Sequence, residues 1–199
     1  MVLSRVNEFG PDVVLESPAF VHDSALLYGK VRVEADASIW ANVVARAELE
    51  EIVIGKQTNI QDFVMLHVGS TTGTYIGEAC SITHHCTIHG CTIGDNCLIG
   101  INSTVMDGAV IGENSIVAPH TLVREGVKIP PNSIVVGSPG RVAKTRNNFV
   151  ANRINAFLYH KNAVAYAQGN HRAWSTDALK QEMLEEMMRL QKLMSSEQV

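Results

Sequence analysis

No stretch of about 18 uninterrupted apolar residues occurs in this 199-residue chain, so no segment has the length a membrane-spanning helix needs. The opening MVLSRVNEFGPDVV lacks a basic region followed by an apolar run, which argues against a secretory leader, and a cytoplasmic protein is expected. A basic excess is also missing. Sixteen Lys and Arg against twenty Asp and Glu leave a formal net charge of −4 and a pI near 6.0. With no positive field to attract phosphate backbones or anionic lipid, neither nucleic acid nor membrane is expected as a partner. The four cysteines, Cys80, Cys86, Cys91 and Cys97, fall within 18 residues, yet none forms a C-x-x-C pair.

What is present is an internal repeat. Leu15, Val21, Leu27, Val33, Ile39 and Ala45 are spaced by six, as are Ile54, Ile60 and Leu66, and Ile76, Ile82 and Ile88. The longest run is Ile93, Ile99, Val105, Ile111, Val117, Val123, Ile129 and Val135. Nineteen of these twenty positions are Val, Ile or Leu, which together make up only 51 of 199 residues, so chance is excluded. Four places after each aliphatic the residue is usually small, as at Ala25, Ala37, Thr58, Ser103, Ala109, Ser115, Thr121 and Ser133. Cys80, Cys86 and Cys97 share that phase, so they read as compact corner residues in preference to zinc or disulfide partners; Cys91 lies where the phase slips.

A period of six is neither the 3.6 of a helix nor simple strand alternation; it fits a short strand and a tight turn repeated, with the aliphatic in a narrow core. The expected fold is an all-β solenoid over residues 1–140, a parallel β-helix of hexapeptide repeats, followed by C-terminal helices over 141–199 that pack on the solenoid and on subunit interfaces. From Asn147 helical spacing takes over, and Phe149, Ile154, Phe157, Leu158, Val164 and Tyr166 are expected to line one helix. Gly169 and Asn170 break it. Ser175, Thr176 and Asp177 supply a cap for a second helix, whose apolar stripe is Leu179, Met183, Met187, Leu190 and Met194.

The beat is interrupted three times: nine residues from Ala45 to Ile54, ten from Leu66 to Ile76, five from Ile88 to Ile93. Two interruptions bracket a histidine-rich stretch. Calling the three sides of a coil A, B and C with Leu66 on A, the count puts Ile76 on B, Ile82 on C and Ile88 back on A. His67 and His89 then both follow the aliphatic on side A, one coil apart, at roughly the 4.8 Å strand spacing. His84 lies on side C. One chain cannot easily bring all three to one metal, whereas a trimer with side A of one subunit facing side C of the next can. The same count sets Arg46 one coil below His67, and Gln61 and Asp62 beneath Thr83 and His84, so Arg46 and the next subunit's Asp62 are expected to pair. The residues alone leave two readings open, a shared metal site and solvated histidines on turns.

The repeat resembles the hexapeptide-repeat proteins, whose coils are left-handed with about 18 residues per turn. The phrase NIQD at 59–62, His67, and T-H-x-x-x-x-H-G-C at 83–91 resemble the γ-class carbonic anhydrase family and its relatives, over about residues 11–140. That resemblance implies a homotrimer with His67, His84 and His89 as metal ligands, Asn59 and Gln61 in the active site, Arg46, Glu48 and Asp62 holding the interface, and reversible hydration of carbon dioxide to bicarbonate. Tyr159 matches a tail tyrosine of some members. Zinc is the default metal, with iron(II) or cobalt(II) also suited to three histidines. The family's R-G-D stands here as Arg46, Ala47 and Glu48, and the loop VGSTTGT after His67 lacks acidic residues, so low turnover is expected. The rival readings are an acyl-coenzyme A acyltransferase or thioesterase on the same solenoid, and a non-catalytic trimeric scaffold. His85 receives no role.

Overall fold

Each aliphatic of the repeat stacks on the one a coil away, and the three stacks make the three faces of a parallel β-solenoid of about seven turns. The structure is a computed structural model that describes residues 9–196. The stretch read for a leader falls mostly on residues 1–8, which with 197–199 lie outside the described residues. On face A, Leu27, Ala45, Leu66, Ile88, Val105 and Val123 pair in register. Face B carries Leu15, Val33, Ile54, Ile76, Ile93, Ile111 and Ile129. Face C carries Val21, Ile39, Ile60, Ile82, Ile99, Val117 and Val135. All of these pairings are parallel, and the backbone groups of each inner strand are satisfied by the coils on either side.

From Leu27 to Val135 every aliphatic of the repeat is buried. Leu15, in the first coil, is 38% exposed because it has a neighbouring coil on one side only. The small residues fill the corners, and their polar atoms are used. Thr58 Oγ1 donates to the Gly77 carbonyl at 2.7 Å and accepts the Cys80 N–H at 2.9 Å. Cys80 and Cys97 thiols point at the Gly94 and Gly112 carbonyls at 3.1 and 3.2 Å. All four cysteines are free and buried, with Cys91 alongside the other three in the core. The turns require positive φ at one residue each: Asp36, Gln57, Ala79, Asn96, Asn114 and Asn132 at one corner, and Asn42, Phe63, His85, Asn102 and His120 at another. Asparagine recurs because it tolerates the left-handed region.

After the last coil, strand Arg141–Thr145 runs antiparallel to Ser133–Val136 and closes that edge of face C. Helix α1 (Phe149–Ala167) then lies along face C, and α2 (Asp177–Ser196) packs on α1. The buried line of α1 differs from the sequence expectation. It is Asn152, Ala156, Asn162 and Ala163, whereas Val164 is 38% exposed. The surface beneath α1 presents corner carbonyls and serines, so amides fit it better than branched apolar groups. Asn152 donates to the Asn96 and Ser115 carbonyls at 2.8 and 3.2 Å, and Ser81 donates to Asn155 Oδ1 at 2.8 Å. In α2 the expected stripe is the packed face, with Leu179 and Leu190 buried, and Thr176 caps the helix by accepting the Leu179 N–H at 3.3 Å. Among the described residues no helix is long and apolar enough to cross a membrane.

Candidate metal centre

Face A carries a ladder of functional side chains built by the repeat itself. Arg46 pairs in register with His67, and His67 with His89, each one place after its buried aliphatic. His67 Nδ1 lies 3.0 Å from His89 Nε2. The outer nitrogen of each ring meets a carboxylate: His67 Nε2 is 3.2 Å from Glu48 Oε2, and His89 Nδ1 is 2.9 Å from Asp107 Oδ2. Glu48 is held in turn by the Arg46 guanidinium. Partial burial would raise the Glu48 carboxyl, but its backbone N–H, Arg46 and His67 outweigh this and hold it below the usual carboxylate range. An open cleft of about 550 Å³ lies in front of this group, its mouth carrying Leu49, Val68 and Ser70.

His84 stands on face C, as the count around the coil places it, and it too has a carboxylate partner, Asp62 Oδ2 at 3.1 Å from Nδ1. Beside it Asn59 and Gln61 are buried and locked in one orientation. Asn59 Nδ2 donates to the Cys80 carbonyl at 3.2 Å and to Ser81 Oγ at 2.9 Å, so its Oδ1 must accept, and it takes the Gln61 Nε2–H at 2.9 Å. Gln61 Oε1 is thereby left as an acceptor. Tyr159 reaches this side from α1 and packs edge-on against Trp40 and Trp174. Burial, reinforced by the Asp62 charge, pushes its phenol up to about 12, so it stays protonated at neutral pH.

Within one chain the structure therefore brings His67 and His89 together and keeps His84 on another face. Among the described residues no three of His, Cys, Asp and Glu converge in one chain on a geometry that could hold a metal. The expected partners Arg46 and Asp62 are likewise on separate faces and each has an in-chain partner, Glu48 and His84. Glu48, expected only at the interface, also touches His67. His85 stacks flat on Phe63, ring centroids 4.9 Å apart. Asp107 is a site residue that the reading of the sequence missed. No histidine spacing points to it, although its place after Val105 on face A is visible in the repeat.

The donor set fits a cation. A carboxylate only accepts, so the His67 Nε2 and His89 Nδ1 positions carry the protons. Two lone pairs then face each other across 3.0 Å, which demands a cation or a shared proton between them. Two imidazoles on one tetrahedral zinc, at bond lengths near 2.0 Å, bring their nitrogens to roughly 3.3 Å.

Comparison with known proteins agrees in kind. A probable carbonic anhydrase of Methanocaldococcus jannaschii is 46% identical over 139 residues, 69% of this chain and 87% of that protein. The chain belongs to the γ-class carbonic anhydrase-like hexapeptide-repeat family. A mitochondrial gamma carbonic anhydrase 2 of Arabidopsis thaliana shares 33% over 108 residues, 51% of this chain but only 39% of the plant protein. The family model described as bacterial transferase hexapeptide (six repeats) matches residues 90–125. Among solved structures, a candidate acetyltransferase of Bacillus cereus superposes with a TM-score of 0.72 at 30% identity, over 80% of this chain and 91% of that one. The γ-class-like family thus shares its solenoid with transferases, and the assignment of chemistry rests on the site.

Proposed function

We propose that the protein is a cytoplasmic, metal-dependent homotrimer that catalyses the reversible hydration of carbon dioxide to bicarbonate, at sites formed by His67 and His89 of one subunit and His84 of the next. The observation that carries this reading is that each of these three rings has one nitrogen against a carboxylate, and that the opposite nitrogens of His67 and His89 face each other at 3.0 Å. Ligand histidines are typically oriented in this way. Among the described residues the other histidines have different partners: His22 meets Ser24, His120 meets Asn102, His160 meets the Asp36 carbonyl, His85 stacks on Phe63 and His171 lies against the Tyr166 ring.

A divalent cation, zinc by default and iron(II) or cobalt(II) otherwise, supplies the Lewis acidity that makes water a nucleophile at neutral pH. The chain supplies the rest. Gln61, fixed through Asn59, keeps Oε1 as the acceptor that orients the attacking water. Arg46 holds Glu48 against His67, and Asp62 holds His84. Tyr159, protonated at neutral pH, would serve as a donor on the face C side, where its phenol feels the Asp62 charge. Leu49 and Val68 give the mouth an apolar lining suited to carbon dioxide. The loop over residues 68–73 brings no carboxylate or histidine to that mouth, so proton export is slow and turnover low.

The likeness to a candidate acetyltransferase favours one rival, acyl transfer from a coenzyme A ester. A carbon dioxide hydration assay on zinc-loaded protein, run beside acetyl-coenzyme A consumption, separates the two. Hydration that His89→Ala abolishes, with no acyl consumption, is expected; acyl consumption without hydration contradicts the proposal.

A further inference from the structure

Two of the three breaks in the hexapeptide beat serve a single carboxylate. The five-residue step from Ile88 to Ile93 draws the turn after His89 tight at Gly90, whose φ is +55°. The ten-residue step from Leu66 to Ile76 makes room for a loop in which Gly69 N–H donates to the Thr72 carbonyl at 2.8 Å. Asp107 enters between these two segments from the next coil. Its Oδ2 meets His89 Nδ1 at 2.9 Å, and its Oδ1 accepts from Thr72 Oγ1 at 3.2 Å. The slot it occupies exists because two residues lack a side chain. A Cβ on Gly69 would lie 2.2 Å from Asp107 Oδ1, and one on Gly90 would lie 2.3 Å from it.

The slot is also pinned. Thr74 Oγ1 donates to the His67 carbonyl at 2.6 Å and accepts the Gly90 N–H at 2.9 Å, tying the two ligand strands together. The Gly108 N–H donates to the Gly90 carbonyl at 2.7 Å, which fixes the turn that carries Asp107. The irregular spacing is therefore spent on holding one acceptor against one imidazole nitrogen.

We infer that Asp107, admitted by Gly69 and Gly90 and steadied by Thr72, is a positioning residue that fixes His89 in the Nδ1–H tautomer with its Nε2 lone pair turned towards His67. The carboxylate can only accept, so the proton stays on Nδ1 and the opposite nitrogen is the donor atom offered to a cation. Asp107 itself touches the ring edge and not the space between the two histidines. The inference rests on the proposed metal site for its purpose, but the tautomer is a property of the full chain whether or not a metal is bound. Loss of such an outer partner typically costs about 10–100-fold in metal affinity.

The test uses full-length protein with ¹⁵N-labelled histidine, at pH 8, first metal-free and then titrated with zinc against a chelator. In the parent, His89 should show the Nδ1–H tautomer. Asp107→Ala should give a mixture of tautomers and a zinc affinity about 10–100-fold weaker. Gly69→Ala, at a position with ordinary φ, should do the same with Asp107 still in the chain, because the new methyl displaces the carboxylate. Asp107→Asn, whose Oδ1 can still accept, should restore the tautomer. His89 unchanged in both Asp107→Ala and Gly69→Ala would overturn the inference. A parent chain with the expected tautomer but no zinc binding would instead contradict the metal site, leaving the role of Asp107 in orienting His89 intact.

Discussion

Subunits carrying His67→Ala and subunits carrying His84→Ala should each assemble into trimers without metal, and every mixed trimer formed when they are refolded together should regain one of the parent's three sites. The expectation follows from the faces. His67 and His89 lie side by side on face A, and His84 lies on face C of the same chain, so under the proposed function each site draws on two subunits. In either homotrimer every interface lacks one imidazole. In a mixed trimer, of either majority, one interface sets the intact face A of a His84→Ala chain against the intact face C of a His67→Ala chain. Metal content and hydration should recover together. His67→Ala mixed with His89→Ala should recover nothing, since both lost rings belong to face A. Recovery in that second mixture, or none in the first with mixed trimers verified by mass, would mean that the faces have been assigned wrongly.

Ile88→Ala should cost about 2–5 kcal/mol of stability and weaken metal binding as well. Ile88 is fully buried in the face A column between Leu66 and Val105, where neighbouring coils cannot close on the space without shifting their hydrogen-bonded register. Its main chain leads directly into His89, so a settling of that coil moves the ring relative to His67. Ile111→Ala supplies the comparison. It is as buried but belongs to face B, and it should lower the urea midpoint by a similar amount at equal chain concentration while leaving zinc affinity unchanged. A stable Ile88→Ala protein would show that the column is loosely packed; a loss of zinc in Ile111→Ala would show that the site depends on the whole solenoid and not on face A.

The three faces could be read from spacing because a solenoid turns sequence distance into position. Once Leu66 was set on face A, counting alone paired Arg46 with His67, His67 with His89 and Ile60 with Ile82, and the strand register is the same. Interactions that leave the period were not legible. Asp107 reaches His89 through a slot made by two glycines, and an absent side chain leaves no mark in a pattern of aliphatics. The buried face of α1 was misjudged for a related reason. A search for apolar residues at helical spacing cannot find Asn152, which is buried by the carbonyls of Asn96 and Ser115 and not by apolar contact. Glu48 was expected only to support the interface, since the count gives the position of a side chain but not its rotamer, and the rotamer brings it to His67.

The most direct test of a cation held between subunits is metal content measured against mass in solution, as zinc-loaded protein is diluted through dissociation. The account predicts about one cation per chain in a species of three chains, with release of the metal as monomer forms. A monomer that retains one tightly bound cation per chain would contradict it.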